Sequence, residues 1–348
     1  GNLRPETEAG QVLVGPYVEV YPGTLLGVKA LRGLALVSMF VAHCAPDDGP
    51  FRLAALTEFA TAPLFALLIG ISAMLADRGN AGLTVAFVRA GVRAAVLVAL
   101  GLWIEPWGAQ ADVVLVYLAL PTLLAPLLAR LPDTVLLGIA TMSWAAAPAL
   151  LSWGRTRSTE ALVAGDDVGH RLWDVVVAGP HYRLTTLLVF TCLGIVLWRW
   201  TRAVPAWSAG LAGLVALAGA ALLMAAKTSG RLAFEPYDGS HLEIVLEALL
   251  VGGFALAWFA VVPERFCLPA LAAAGSMTLS VYVLQIAYLA WYVREVHPGE
   301  RDDAWGNVGV LCVGALVLPM AWRSLVSREP WSRGPLEGAT AAVTRGIR

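Results

Sequence analysis

Charge is scarce in this chain. Only 14% of its residues are Asp, Glu, Lys or Arg, against about 25% in soluble domains, while 58% are hydrophobic and the mean hydropathy is +0.71. That balance predicts an all-α, polytopic membrane protein embedded in a lipid bilayer, with no large soluble domain. Net positive charge is missing as well. The formal net charge is -1, which excludes a nucleic-acid partner, because phosphate binding needs a clustered positive field. The chain has no glycine-rich dinucleotide fingerprint, no P-loop and no His/Cys cluster at metal-ligand spacing; no metal and no tightly bound cofactor is expected. Its four cysteines, Cys44, Cys192, Cys267 and Cys312, are far apart and each lies in or beside an apolar run, so free packed thiols are expected. No cleavable signal peptide is expected at the start.

What is there in quantity is a series of apolar runs near the length that crosses about 30 Å of hydrocarbon. They lie at roughly 24–44, 56–76, 86–104, 112–129, 134–151, 184–200, 207–226, 242–262, 268–293 and 306–326, predicting about ten helices. The weakest are 112–129, which holds Pro121 and Pro126, and 134–151. Three parts follow: an N-terminal segment 1–23 outside the core, a membrane domain 24–326, and a tail 327–348. Arginines mark one side of the bundle: Arg78, Arg89 and Arg93 after the second run, Arg199 and Arg202 after the sixth, and Arg323, Arg328, Arg333, Arg345 and Arg348 in the tail. The positive-inside rule makes that side, and with it both termini, cytoplasmic. The opposite connections are acid-rich, with Asp47, Asp48, Glu58, Glu105 and Asp112 among others. The stretch 152–183, which carries His170 and His181, reads as the only long outer connection, either a lid over a cavity or a solvated loop with a short helix at Thr159–Ala164.

Polar groups inside the runs draw the candidate site. Lys29 and Arg32 open the first run and His43 closes it, roughly 15 to 20 Å apart on a helix. They are either the flanks of an ordinary span or functional groups held at depth. Glu243 and Glu247 are four apart and share a helical face, with His241 just before them. Glu247 has no basic residue near it in sequence. It is either a carboxylic acid bonded to a neighbouring helix or a member of a catalytic or proton-relay group. Ser280, Tyr282 and Gln285 add hydrogen-bonding groups to the ninth run, where polar contact between helices explains them most simply.

Several of these stretches carry a resemblance. ALRGLALVSMFVAHC followed by PLFALLIGISAMLADRG resembles the opening helices of the transmembrane acyltransferase superfamily, which includes acyltransferase 3 proteins and heparan-alpha-glucosaminide N-acetyltransferase. GPHYRLTTLLVFTCLGIVLWR, DGSHLEIVLEALLVGGFALA, GSMTLSVYVLQI and PWSRGPLEGATAAVTR resemble, in that order, later segments of its YeiB-like bacterial branch. The likeness implies a multi-pass protein of the bacterial cytoplasmic membrane. It also implies an acyl group carried by acyl-CoA or another thioester as co-substrate, passed to a hydroxyl or amine of a small-molecule, lipid or glycan acceptor. It maps Arg32 onto the arginine of the family's Leu-Asp-x-x-Arg-Gly pattern and His43 onto the histidine that ends the same helix. The chain departs from the family at Lys29, where Asp is usual, at Tyr237 and Asp238, where histidine is common, and at Gln285, which stands for histidine or asparagine.

Acyl transfer needs a base near neutral pKa, which makes His43 the candidate, oriented by Glu247 or Glu243. Lys29, Arg32, His241, Tyr282, Gln285 and His181 are the candidate substrate contacts. Arg89 and Arg93 complete a basic rim suited to the phosphates of an anionic donor, or serve only as positive-inside residues. Two other classes stay open: another intramembrane biosynthetic enzyme, such as a cyclase or isomerase, on the same fold, and a transporter of a small amphiphile, although the sequence shows no internal repeat.

Overall fold

Each apolar run closes its own backbone hydrogen bonds as a helix, the one way a single segment can satisfy its N–H and C=O groups without water. The computed structural model of the protein describes residues 22–46, 53–76, 82–261 and 269–347. Most of the N-terminal segment, together with Asp47, Asp48, Arg78, Cys267 and Arg348, lies outside the described residues. The helices are α1 (Pro22–Cys44), α2 (Leu53–Ala76), α3 (Leu83–Ile104), α4 (Leu115–Leu128), α5 (Asp133–Val163), α6 (Asp167–Trp173), α7 (Leu184–Ala203), α8 (Ala206–Thr228), α9 (His241–Glu247), α10 (Gly253–Val261), α11 (Pro269–Ser276), α12 (Thr278–Trp291), α13 (Trp305–Leu325) and α14 (Pro335–Arg345). A π-helical turn, Ala248–Gly252, joins α9 to α10 as one span. Among the described residues 8 helices are long and apolar enough to cross a membrane. The bent pair α11–α12 makes a ninth, and α4, at 14 residues, is about 21 Å long and shorter than the hydrocarbon. The architecture is the expected polytopic helical bundle, and the helices fall on the apolar runs.

Burial separates the helices. The apolar window of α2 is 61% buried within the protein and that of α3 only 17%, so α2 is central, packed on α1, α4 and α7, while α3 turns Leu102 and Trp103 outward. Without a hydrophobic drive between helices in lipid, close approach depends on small residues. Gly33 and Gly275 set the α1–α11 crossing: a Cβ on Gly275 would overlap the Lys29 carbonyl, and one on Gly33 the Leu271 carbonyl. Gly70 and Gly194 do the same for α2 and α7, against the carbonyls of Thr191 and Leu67.

Stretch 152–183 is largely helical, not a loop. No glycine or proline interrupts 155–164, so α5 runs on through Val163 and absorbs the short helix expected at Thr159–Ala164. α6 then folds back: Ser158 Oγ bonds Asp174 Oδ1 at 2.6 Å and His170 Nδ1 at 2.7 Å, and Trp153 meets Trp173 edge to face at 5.0 Å. The ninth run is broken as well. α11 and α12 meet at 84°, and the exposed N-terminus of α12 is closed by the tail: Leu279 N and Ser280 N donate to Glu337 Oε1 at 2.7 and 3.0 Å, and Ser280 Oγ to Oε2 at 2.5 Å.

The passes alternate, which gives the bundle two unlike ends. His43, the Glu105–Val114 connection, the α6 region and the 229–240 connection gather at one end, the Lys29 side of α1 and the tail at the other.

Candidate functional site

His43 lies in the last turn of α1. Its Nδ1 accepts a hydrogen bond from Gln285 Nε2 at 2.7 Å, and Gln285 is only 1% exposed. The group that orients the imidazole is therefore this amide, where the sequence pointed to Glu247 or Glu243. With Nδ1 accepting, the ring proton resides on Nε2. Gln285 Oε1 is buried without a partner; a half-turn of the amide would present it to Nδ1, move the ring proton there and free Nε2 to accept a proton. Tyr282, three residues before Gln285 and on the same face of α12, fixes the neighbouring connection: its hydroxyl accepts from Val114 N at 3.1 Å and donates to the Asp112 carbonyl at 3.4 Å. The Asp112 carboxylate is an electrostatic neighbour of His43.

Beside this lies a polar cavity lined by His181, Tyr182, Arg183, Tyr237, Glu243 and Glu247 over Pro63 and Phe190. Its enclosed part is about 20 Å³ within about 300 Å³ of free space, room for roughly one water in the enclosed part. Glu243 builds its wall. The carboxylate accepts from Tyr237 N and from Gly239 N, the latter at 2.6 Å, and so clamps a turn in which Tyr237 (φ 67) and Gly239 (φ 73) are both left-handed. Ser240 caps α9 by accepting from Glu243 N at 3.2 Å. Three rings meet edge to face on the rim: Tyr237 lies 5.1 Å from His181 and 5.7 Å from Tyr182. His181 Nδ1 is 2.8 Å from Asp112 Oδ2. That hydrogen bond raises the His181 pKa and holds the Asp112 carboxyl below its usual value; burial pushes the Tyr237 phenol up.

Two charged groups in the cavity stand differently. Arg183 is 2% exposed; its Nη2 donates to the Tyr237 carbonyl at 3.0 Å, but Nε and Nη1 have no partner. Burial lowers its pKa, opposed by the nearby Glu243 and Glu247. Glu247, 5% exposed, lies inside the bundle with Glu243, Arg183 and Asp238 as its electrostatic neighbours, and makes no hydrogen bond or ion pair with any described residue. It belongs to the Arg183 group, not to His43. His241 faces away: its Nε2 donates to the Ala145 carbonyl at 3.1 Å and its ring lies 4.9 Å from Trp144, beside a separate recess with Pro148 and Arg155.

The other end of α1 holds the remaining candidates. Arg32 Nη2 donates to Ser72 Oγ at 2.6 Å and has Arg93 and Glu337 as electrostatic neighbours. Lys29 faces Arg323, Arg333 and Glu329, and Arg89 Nη2 donates to the Ile347 carbonyl at 2.9 Å. Lys29, Arg32, Arg89 and Arg93 thus form one basic zone closed over by the acidic tail residues, with burial raising the Glu337 pKa. Helix rise separates this zone from His43 by about 16 to 21 Å.

Sequence reasoning missed Arg183 and the pairing of Asp112 with His181. A signal existed for the first: Arg183 is a cation bordering a span on the side where acids prevail, against the positive-inside trend. Among the described residues no group of three or more His, Cys, Asp or Glu side chains is placed to hold a metal, and Cys44, Cys192 and Cys312 are free thiols. No family model matches the chain, and no curated protein matches it.

Proposed function

We propose that this chain is an integral membrane acyltransferase of the bacterial cytoplasmic membrane, with both termini cytoplasmic, that moves an acyl group from a thioester donor such as acyl-CoA to a hydroxyl or amine acceptor. The observation that supports it is the contact of His43 Nδ1 with the Gln285 amide at 2.7 Å, which fixes the direction of the imidazole and lets the amide, by turning over, select its tautomer, as a base held by a second group requires. With the amide carbonyl receiving Nδ1–H, Nε2 takes the acceptor's proton as its oxygen or nitrogen bonds to the thioester carbon. The C–S bond then breaks, and the imidazolium returns the proton to the leaving thiolate. The basic zone at the far end of α1 suits the donor's phosphates, and the resemblance of the first two helices to transmembrane acyltransferases agrees with this reading. A transporter is the second reading, favoured by the 84° break between α11 and α12, since discontinuous helices mark transport sites; a single break without a counterpart supports it less.

The test is thiol release. The purified chain in nanodiscs, given acetyl-CoA or a longer acyl-CoA with a panel of amines and sugars, is expected to liberate free CoA above the level of empty nanodiscs. No release with any donor and acceptor would overturn the proposal.

A further inference from the structure

Of the four arginines in stretch 152–183, three are engaged. Arg157 pairs with Glu160 at 2.9 Å, Arg171 with Glu105 at 2.7 Å, and Arg183 is packed under the Gly239 turn. Arg155 stands exposed and makes no side-chain hydrogen bond or ion pair with any described residue. It borders the recess lined by Pro148, Leu151, Ser152, Asp238, Ser240 and His241, a space of about 300 Å³ and so within the range of small-molecule sites. Asp238 adds no free acid there, because its two oxygens accept from Glu235 N and Ser240 N at 2.9 and 2.7 Å. The Ser240 hydroxyl accepts from Glu243 N at 3.2 Å and keeps its own proton to donate. The uncommitted charge of the recess is therefore positive.

α5 sets the depth of this recess. Its first residue, Asp133, pairs with Arg199 at the Lys29 end of the bundle. At about 1.5 Å per residue, Pro148 lies about 22 Å along the helix, Leu151 about 27 Å and Arg155 about 33 Å, against a hydrocarbon thickness of about 30 Å. The apolar wall is thus inside the hydrocarbon and the guanidinium at the level of the headgroups, where the exposed Trp153 also stands. Pro148, Leu151, Ser152 and Arg155 share one face of α5, and Thr141 and Ala145, both exposed, continue it inward with small side chains.

We propose that the recess seats the phosphodiester head of a lipid from the leaflet at the His43 end, with an acyl chain along the Thr141–Pro148 face of α5. The Arg155 fork donates to two phosphate oxygens, the Ser240 hydroxyl donates to the head, and Pro148 and Leu151 cover the first methylenes. Free phosphate forgoes the apolar wall, and a chain without phosphate leaves Arg155 unpaired, so the match is to the amphiphile. The site lies outside the Gly239 turn and holds whether or not the group transfer proposed above takes place.

The experiment is native mass spectrometry of the full chain released from an uncharged detergent and titrated with dihexanoyl-phosphatidylglycerol, against dihexanoylglycerol and inorganic phosphate. One saturable phosphatidylglycerol per chain is expected, with the other two ligands at least about 10-fold weaker. Arg155→Gln should weaken that lipid by about 10-fold or more, and Arg157→Gln, whose side chain does not line the recess, should leave it unchanged. Ser152→Trp, which fills the recess and keeps the charge, should weaken it likewise; it carries the comparison should Arg155→Gln melt below the parent. Several results overturn the site: no saturable phosphatidylglycerol, phosphate or dihexanoylglycerol bound as tightly, binding unchanged in Arg155→Gln and Ser152→Trp, or an equal loss in Arg157→Gln. Because no thioester is present, such a failure leaves the thiol-release result untouched.

Discussion

His181 and Asp112 meet at 2.8 Å with side chains 41% and 57% exposed, so water screens the pair and its contribution to stability is small. Its titration is nonetheless specific. Asp112 raises the His181 pKa, so the stabilisation is complete below the free histidine value of about 6.5 and is lost as pH rises through the higher folded value. His181 lowers the Asp112 pKa, so the same contact fades at the acid end as pH falls through that depressed value. Nitrogen-15 spectra of labelled histidine should show His181 titrating above the ordinary value, and Asp112→Asn should return it towards that value; an unchanged titration in the variant would remove Asp112 as its partner. Residues of this kind were unevenly legible. His43 and Gln285 stood out because a polar group in an apolar run has few reasons to be there. Arg183 did not, because at the border of a run an arginine reads as a flank. Glu243 read, with Glu247, as a group that orients His43, but its carboxylate clamps a turn whose left-handed Tyr237 no motif announces.

Helices were the most legible elements, since about twenty apolar residues can do little else in lipid. What the apolar pattern could not show was continuity. The run 268–293 carries no charged residue, yet it folds as α11 and α12 at 84°, because α11 must pass close enough to α1 for Gly275 to touch the Lys29 carbonyl, and the freed N–H groups of α12 find Glu337, 57 and 58 residues further along the chain. The extension of α5 was hidden by its polarity, which reads as a loop when hydropathy is the guide. The α1–α11 crossing gives a direct prediction. Gly275→Ala would push a Cβ onto backbone atoms that cannot yield, and should destabilise by about 1–3 kcal/mol as overpacking does, seen as a lower melting temperature in detergent. Gly306→Ala, where nothing lies within 4 Å, should be neutral or slightly stabilising. Equal melting of the two variants would contradict the packing argument.

For the whole molecule, the arginine asymmetry supports the proposed orientation, in which the tail and the Lys29 end face the cytoplasm and His43 the outside. On a cysteine-free background, an impermeant thiol reagent added to intact cells should label Val168→Cys in α6, where Val168 is 70% exposed, and should miss Ser327→Cys; the reverse pattern inverts the molecule. In the proposed reaction the donor's phosphates and the transferring base lie at opposite ends of α1, so the arm that joins those phosphates to the thioester must span the bundle between them. The central claim is that His43 moves the proton in that transfer. Its most direct test is turnover of His43→Gln in the thiol-release assay, because glutamine keeps a hydrogen-bonding group of similar reach but cannot act as the base. The account predicts a fall of about 10² to 10⁴-fold with the donor KM nearly unchanged and the variant melting like the parent. Turnover of His43→Gln at the parental rate would contradict it.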